Sequence, residues 1–257
     1  MKAIIVAAGR GRRLGPETDA IPKCMVEVAG RPILHRQLEA LAAAGALDFV
    51  IVRGYLGERI AAPERALRFV DNRAWADNNI LASLLHAERE MDGGFLFSYS
   101  DIVFATEHAR RVAEAAGAIA LVVDRRWREA YVGREQHPVS EAELARVEET
   151  PDGPRVTRVG KRLVAADEAA GEFIGLARFS AEGGAALRAL WREVAARGLD
   201  APFGAAASLR QAYLTDALNE LAARGVPLVP VLIDGRWREI DTEEDLARAH
   251  GAVATWG

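Results

Sequence analysis

Short apolar runs alternate along the chain with longer segments whose apolar residues have helical spacing. Residues 2–6 and 48–53 contain consecutive apolar side chains, which is typical of strands buried on both faces. Residues 31–45 have the spacing of a helix that ends at a glycine. The next expected elements are strands at 66–70, 95–100 and 118–123 and helices at 80–91 and 106–117. This alternation predicts an α/β fold with a doubly wound, mostly parallel sheet.

The pattern changes after residue 123, where polar residues become more frequent. Residues 142–150 and 155–159 flank a turn at 151–154 and predict a hairpin. The remaining expected elements are strands at 173–179, 227–233 and 237–240, helices at 185–197 and 209–224, and a last helix that Thr242 caps. We expect one domain over residues 1–257 that carries a small inserted lobe.

Composition and charge exclude several classes of protein. The net charge is −4 and the pI about 5.8, which argues against a general nucleic-acid or membrane surface. Cys24 is the single cysteine, so neither a disulfide framework nor a cysteine-rich metal site is expected. No apolar run approaches the ~20 residues of a membrane helix, and the first residues lack the pattern of a signal peptide. We therefore expect a soluble, cytoplasmic protein.

The glycine-rich segment after the first strand is the first candidate for chemistry. Its small residues let a ligand approach the backbone, whose N–H groups can bind anionic oxygens. Its arginines and the later Pro22-Lys23 pair supply charge that matches phosphate. The residues expected to bind phosphate groups are Ala7, Ala8, Gly9, Gly11, Arg13 and Lys23.

The spacing in this loop excludes two common phosphate-binding motifs. No Lys-Ser or Lys-Thr pair follows the glycines, as a P-loop requires. Gly9, Gly11 and Gly15 miss the dinucleotide-binding spacing by one position. For the glycines alone, an ordinary strand-to-helix turn stays open as the alternative. The arginines and Lys23 favour a nucleoside-triphosphate loop.

Acidic residues follow three of the expected strands, at the sheet edge where ligands bind in open α/β sheets. They are Asp101, Asp124 and Asp241. Asp101 and Asp241 could bind Mg²⁺, which prefers hard oxygen ligands, if their strands are neighbours. Glu239, two residues before Asp241, could join them or form a surface salt bridge. A strand-end aspartate could instead cap the next helix.

These motifs resemble the sugar-nucleotidyltransferase superfamily. The match consists of Ala7-Ala-Gly-x-Gly-x-Arg-Leu14 with Pro22-Lys23, of Ser-Tyr-Ser-Asp at 98–101, and of residues 237–246. The resemblance implies a Rossmann-like fold of the nucleotide-diphospho-sugar transferase type. It also implies transfer of a nucleotidyl group from an NTP to a phosphorylated substrate, with release of pyrophosphate. Lys23 and Arg13 would then be catalytic, and Mg²⁺ would be the cofactor.

Within the superfamily, the chain is most similar to CTP:phosphocholine and phosphonate cytidylyltransferases. Asn78, Asn79 and Ser83 would then line the pyrimidine pocket, although either asparagine could merely cap the next helix. CTP would be the donor, and phosphocholine, 2-aminoethylphosphonate or a related phosphonate would be the acceptor. The residues expected to bind the acceptor are Asp124, Trp127, Tyr131, Arg134, His137 and Lys161. Gly160-Lys161 departs from the family's Glu-Lys-Pro, which leaves the role of Lys161 open.

The resemblance also implies a division of labour and a mechanism. Residues 1–123 would bind the nucleotide, and residues 124–257 would bind the acceptor and supply the second metal ligand. An ionised acceptor oxygen would attack the α-phosphorus in line with the departing pyrophosphate, so no general base is needed. Lys23 would bridge the α-phosphate and the acceptor. Small molecules are the expected partners, and a homodimer is compatible with the sequence.

The acceptor is the least determined part of this interpretation. Trp127 and Tyr131, with Asp124, could surround an ammonium group, or Trp127 could pack in the core. Arg134 and His137 could instead face an acidic acceptor. Three other aromatic residues are expected only to pack: Trp75, Trp191 and Tyr213.

Three alternative functions stay open. A sugar- or inositol-phosphate nucleotidylyltransferase that uses another NTP would keep the same loop and acids. A non-catalytic nucleotide-binding regulatory domain would be expected to lose Lys23 or a strand-end aspartate, and all are present. A dinucleotide-dependent oxidoreductase is disfavoured by the glycine spacing.

Overall fold

Strands and helices alternate through most of the chain in the computed structural model, which describes residues 1–256. The strands are β1 (Lys2–Ala7), β2 (Glu27–Val28), β3 (Arg31–Pro32), β4 (Asp48–Arg53), β5 (Leu67–Asp71), β6 (Phe95–Tyr99), β7 (Ile102–Phe104), β8 (Ile119–Asp124), β9 (Glu143–Glu148), β10 (Arg155–Lys161), β11 (Gly171–Phe179), β12 (Leu228–Ile233) and β13 (Trp237–Glu239). The helices are α1 (Ile33–Ala43), α2 (Ile80–Leu85), α3 (Thr106–Glu114), α4 (Trp127–Tyr131), α5 (Ala181–Ala195), α6 (Leu214–Ala223) and α7 (Glu243–Val253).

The central sheet is mostly parallel and has one antiparallel strand in its middle. β6, β1, β4 and β5 lie side by side and parallel, and β12 is parallel to β8. β11 joins these two groups because it pairs antiparallel with both β6 and β8. The β9–β10 hairpin attaches to the first residues of β11. The predicted fold class is confirmed, with β11 and the edge strand β10 running opposite to the other strands of the sheet.

Apolar side chains on both faces of the sheet form the core. In β1, Ile4 and Val6 pack into one cluster, and Ala3 and Ile5 pack into the cluster on the opposite face. Successive side chains of a strand point to opposite faces, so a run without polar residues belongs at a position covered on both sides. This explains the unbroken apolar pattern of β1.

Several helices differ from the sequence-based expectation at their ends, among them α5, which begins at Ala181 and not at residue 185. In the segment predicted as 209–224, a 3₁₀ turn at Leu209–Gln211 precedes α6, which begins at Leu214 because the side chain of Asp216 accepts a hydrogen bond from the backbone N–H of Tyr213 and caps the helix there. α2 ends at Leu85, and a separate short turn follows at Glu88–Glu90. Thr242 caps α7 as expected, in a capping box with Asp245.

A small sheet outside the central one brings distant residues to the same edge. β13 pairs antiparallel with β7, so Glu239 lies opposite Ile102. The backbone N–H of Ile240 donates a hydrogen bond to the carbonyl of Asp101 at 2.8 Å. The residues after β6 therefore contact the residues after β13. In residues 1–256, no helix has the length and apolar content needed to cross a bilayer.

Candidate active site

The loop after β1 wraps around the side chain of Lys23. Gly11 has φ of 69°, a conformation that side-chain-bearing residues rarely adopt. A Cβ atom at Gly11 would lie 2.9 Å from Cδ of Lys23 and 3.1 Å from its Cβ. The glycine is therefore required both by the turn and by the space that the lysine occupies.

Lys23 joins the two strand-end aspartates at the sheet edge. Its Nζ donates a hydrogen bond to Oδ2 of Asp101 at 2.7 Å and another to Oδ1 of Asp241. Arg13 donates to the second oxygen of Asp241 at 2.5 Å. Four of the residues that the sequence analysis assigned to chemistry thus form one ion-pair cluster.

The charges of this cluster hold one another ionised. Burial lowers the pKa of Lys23, but the charges of Asp101 and Asp241 outweigh burial and raise it above its ordinary value. Burial likewise acts to raise the pKa of Asp241, but Lys23 and Arg13 hold it well below its ordinary value. At neutral pH the site therefore presents the ionised carboxylate of Asp241 beside a cationic lysine.

The pairing of β7 with β13 also places Glu239 and His137 next to Asp241. Each of these three residues offers one ligand atom, and the three atoms lie within 4.8 Å of one another. Nε2 of His137 lies 3.4 Å from Oε2 of Glu239, and the imidazole is fully buried. Burial and the charges of Asp241 and Asp101 raise the pKa of Glu239 well above its ordinary value. His137, which was expected to bind the acceptor, thus lies beside the residues predicted as metal ligands.

One cavity of about 320 Å³ lies over the glycine-rich loop, and we call it the nucleotide cleft. Its lining includes most of the predicted nucleotide-binding residues together with Trp75, which the sequence analysis had assigned to packing: Ala8, Gly9, Gly11, Arg13, Lys23, Trp75, Asn78, Asn79 and Ser83. Ala7 is the last residue of β1 and is buried under the loop.

A polar network fixes the side chains on the far side of the nucleotide cleft. The amide nitrogen of Asn72 donates to Oδ1 of Asn78 and to Oγ of Ser83, both at 2.9 Å. Asn72 is almost fully buried, and the sequence analysis did not identify it. Asn79 caps α2, which was one of the two roles considered for it, since its side chain accepts a hydrogen bond from the backbone N–H of Ile80 at the start of the helix. It lines the cleft as well.

A second cavity of about 260 Å³ lies beside the first, and we call it the acceptor cavity. The two cavities share the side chains of Arg13, Asp101 and Asp241. A molecule in each would therefore meet at the ion-pair cluster that contains Lys23. This is the arrangement that a transfer between two substrates needs.

Among the residues predicted to bind the acceptor, Asp124 and Trp127 face the protein interior. The carboxylate of Asp124 accepts hydrogen bonds from the backbone N–H of Gly235 at 2.7 Å and from the indole N–H of Trp237 at 2.8 Å. It also accepts from the N–H of Arg126 at 3.0 Å. Trp127 packs in a small hydrophobic cluster with Tyr131, Ala142, Leu144 and Val164. Both side chains thus have structural contacts in place of the predicted ones.

The other predicted acceptor residues lie nearer to the cavity. Lys161 lines it, with Nζ 5.1 Å from the ring centre of Tyr213. Tyr131 reaches it indirectly, because its hydroxyl donates a hydrogen bond to Glu172. Arg134 is held by Asp245, to which its Nε donates at 2.6 Å. These three residues lie in or near the cavity, as expected from the sequence, but the contacts of their side chains were not predicted.

Several residues of the acceptor cavity were missed by the sequence analysis. They are Tyr99, Glu143, Glu172, Phe173 and Trp237, and also Tyr213, which was expected only to pack. Glu172 and Phe173 lie at the start of β11. Because β11 runs antiparallel to its neighbours β6 and β8, its start lies at the edge of the sheet where those two strands end. The sequence feature that could have identified Glu172 is that it is a glutamate within the otherwise mostly apolar run of β11.

Comparison with known proteins decides the family. The model of the MobA-like NTP transferase domain matches residues 3–193. This chain belongs to that family. The resemblance to nucleotidyltransferases drawn from the loop and the strand-end aspartates is confirmed.

Curated relatives of this family member include several cytidylyltransferases. The CTP:phosphoglutamine cytidylyltransferase of Campylobacter jejuni is 29% identical over 255 residues, which cover 96% of this chain and 98% of that protein. The choline-phosphate cytidylyltransferase of Streptococcus pneumoniae is 36% identical over 106 residues, or 40% of this chain and 46% of that protein. The second alignment therefore spans less than half of the relative.

Solved structures share the fold over nearly the whole chain. The CTP:phosphocholine cytidylyltransferase from S. pneumoniae superposes with a TM-score of 0.76 at 20% identity, covering 97% of both chains. The inositol-1-phosphate CTP transferase from T. maritima gives a TM-score of 0.73, also at 20% identity, and covers 99% of this chain and 95% of that one. At this identity the likeness establishes the fold alone.

Proposed function

We propose that this protein transfers CMP from CTP to a small phosphate or phosphonate acceptor and releases pyrophosphate. The observation that carries the proposal is the meeting of the nucleotide cleft and the acceptor cavity at Asp101, Asp241 and Arg13, with Lys23 between the two carboxylates. The relatives named as cytidylyltransferases of phosphoglutamine and choline phosphate support CTP as the donor. Phosphocholine, 2-aminoethylphosphonate and related phosphonates are the acceptors that we propose.

In this reaction, an oxygen of the acceptor phosphate or phosphonate forms a bond to the α-phosphorus of CTP. The bond from the α-phosphorus to the bridging oxygen of pyrophosphate breaks, and the electron pair leaves with pyrophosphate. The attacking oxygen is already ionised near neutral pH, so the protein has to position it and stabilise charge. Lys23 lines the nucleotide cleft and pairs with the two carboxylates that line both cavities, and in this reaction its ammonium group would bridge the α-phosphate and the attacking oxygen.

The residues present fit a magnesium ion. Asp101 and Asp241 supply hard carboxylate oxygens of the type that Mg²⁺ prefers. Within residues 1–256, Oδ1 of Asp101 is buried without a hydrogen-bond partner, so one ligand atom is available. Glu239 lies close enough to Asp241 to contribute a third carboxylate. When bound, Mg²⁺ would offset the charge that develops on the phosphate oxygens.

A substrate matrix tests the proposed function. The purified protein is incubated with MgCl₂, with each of CTP, UTP, GTP, ATP and dTTP, and with each of several acceptors. The acceptors are phosphocholine, 2-aminoethylphosphonate, phosphoglutamine, glucose 1-phosphate and inositol 1-phosphate. We expect pyrophosphate release and a CMP adduct by mass only with CTP. Faster turnover with another nucleotide, or no turnover with any pair, would contradict the proposal.

A further inference from the structure

The acceptor cavity contains more acidic than basic side chains. Six acids line it: Asp101, Glu141, Glu143, Glu172, Glu239 and Asp241. Among residues 1–256, the basic side chains that line it are only two, Arg13 and Lys161. A cavity that binds only an anionic substrate would be expected to have the opposite balance, since burying like charges together is unfavourable.

Some of these acids have cationic partners. Asp101 and Asp241 pair with Lys23, as described above. Glu141 accepts a hydrogen bond from Nζ of Lys161 at 3.1 Å and another from Arg162 at 3.2 Å. The first pairs border the nucleotide cleft, and Lys161 is the last residue of β10.

Among residues 1–256, the hydrogen-bond donors to the side chains of Glu143 and Glu172 are neutral tyrosine hydroxyls. The hydroxyl of Tyr99 donates to Glu143 at 3.1 Å, and that of Tyr131 donates to Glu172 at 2.7 Å. Glu143 is 6% exposed and Glu172 is 3% exposed. Oε2 of Glu172 has no hydrogen-bond partner among residues 1–256. A buried carboxylate without a full set of partners is costly, which indicates that a ligand completes the set.

The positive charges that act on these two glutamates are engaged elsewhere. Lys161 acts on Glu143 but donates its hydrogen bond to Glu141. Arg134 acts on Glu172 but donates to Asp245. Burial therefore dominates, and it raises the pKa of Glu143 to about 7 and that of Glu172 to about 8.

Aromatic rings surround the same space. Tyr99, Phe173, Tyr213 and Trp237 all line the acceptor cavity. The rings of Tyr99 and Phe173 meet edge to face at 6.1 Å, and the indole N–H of Trp237 is anchored on Asp124. Aromatic faces combined with carboxylates are the groups that bind organic ammonium ions.

We propose that the acceptor carries a positively charged ammonium group, which binds beside Glu143 and Glu172 among the aromatic residues that line the acceptor cavity. The proposal rests on the proposed function, because it identifies the substrate class of that same site. The phosphate or phosphonate end of the acceptor would lie toward Lys23 and the nucleotide cleft. The ammonium group would supply the positive charge that the two glutamates lack.

Matched pairs of acceptors test this proposal. Phosphocholine is compared with 3,3-dimethylbutyl phosphate, which has the same shape without the charge, and 2-aminoethylphosphonate is compared with propylphosphonate. We expect kcat/KM with CTP to be at least about 30-fold higher for the charged member of each pair, the ratio for an ammonium contact of about 2 kcal/mol. Equal use of the neutral members would overturn the proposal.

Two substitutions assign the effect to these glutamates. Glu143→Gln and Glu172→Gln keep an oxygen that can accept from the tyrosine and remove the charge. We expect each to lower the charged-to-neutral ratio about tenfold or more, with the KM for CTP nearly unchanged. Glu148→Gln is the matched control, because Glu148 is an exposed residue of the same strand as Glu143. An unchanged ratio in both Gln variants would overturn the assignment.

Calorimetry separates failure of this inference from failure of the proposed function. Phosphocholine and 3,3-dimethylbutyl phosphate are titrated into the protein with CTP and CaCl₂ in place of MgCl₂. Preferential binding of phosphocholine that is lost in Glu172→Gln supports the inference even if no nucleotidyl transfer is detected. Turnover of glucose 1-phosphate or inositol 1-phosphate without preference for an ammonium group would uphold nucleotidyl transfer and overturn the inference.

Discussion

Nζ of Lys23 lies 2.7 Å from Oδ2 of Asp101, although 78 residues separate them along the chain. The same ammonium group contacts Asp241, a further 140 residues along. Three segments that follow three different strands thus meet at one lysine. The predictions below concern this meeting point and the cavities on its two sides.

Lys23→Ala should lower kcat about 100-fold or more, the usual loss when an electrostatic donor at the reacting centre is removed. The ammonium group pairs with Asp101 and Asp241, which line both cavities, so the loss should fall on kcat more than on the KM for CTP. Steady-state pyrophosphate release with CTP and phosphocholine measures both constants, and a thermal melt verifies folding. Near-normal turnover in a folded variant would rule out the role proposed for Lys23.

Removal of divalent metal with EDTA should abolish turnover, and MgCl₂ should restore it. Asp101 supplies a buried, unpartnered oxygen that fits the ion, so Asp101→Asn should raise the MgCl₂ concentration needed for half-maximal rate about tenfold or more. Titration of MgCl₂ at saturating CTP gives this value for both proteins. Full activity in EDTA would show that the reaction does not require the metal.

Gly11→Ala should lower both stability and kcat. Placing alanine at φ of 69° costs about 1–2 kcal/mol, and the new Cβ would displace the side chain of Lys23. Gly45→Ala is the matched control, since Gly45 has φ of 92° and lies away from the site, and a Cβ added there would meet no other segment of residues 1–256 within 4 Å. Denaturant unfolding should show losses in both variants, and kinetics a loss in Gly11→Ala alone. Similar kcat values in the two variants would contradict this account.

Asp124→Asn should affect stability and not acceptor binding. The carboxylate accepts three hydrogen bonds, and an amide would turn a donor toward one or more of those N–H groups, at a cost of about 1–3 kcal/mol. Asp234→Asn serves as the control, because Asp234 is an exposed partner of Arg125 and its substitution should leave stability nearly unchanged. Urea unfolding and the KM for phosphocholine distinguish the roles. A raised KM with unchanged stability would restore Asp124 to the acceptor-binding set.

Preference for phosphocholine over its neutral analogue should rise as the pH increases from 6 to 9. The pKa values of about 7 for Glu143 and about 8 for Glu172 lie above the ordinary 4.5, so both carboxyls are largely neutral at pH 6 and charged at pH 9. The ammonium charge lowers the phosphate pKa of phosphocholine below that of the neutral analogue, so the ratio of kcat/KM values is compared at each pH with that of the Glu143→Gln/Glu172→Gln double variant, in which this difference is the same. The ratio should rise with pH relative to that of the double variant. The same pH dependence in both proteins would contradict the prediction.

The same two groups should make the ligand-free protein less stable at high pH. Between about pH 4.5 and 8 the folded state binds more protons than the unfolded state, because burial raises both pKa values. The contribution of these two groups to stability is therefore greatest below this window and is lost as the pH rises through it. Thermal melts of the double variant should show a smaller decrease between pH 6 and 9 than those of the unsubstituted protein.

The sequence by itself determined the features that depend on neighbouring residues. The apolar run of β1, the glycine-rich loop and the aspartate after β6 follow one another in the chain, and their order already indicates a phosphate-binding edge. The cap of α7 at Thr242 is equally local. Such features are predictable because strand and helix periodicity and turn chemistry act over a few residues.

Tertiary structure alone decided which residues complete the site. β13 pairs with β7 rather than joining the central sheet, and this pairing brings Asp241 to Asp101. β11 runs antiparallel between β6 and β8, so its first residues, Glu172 and Phe173, face the acceptor cavity in place of Asp124 and Trp127. Strand direction and the choice of pairing partner depend on contacts between segments far apart in the chain. The spacing of residues within one segment therefore does not predict them.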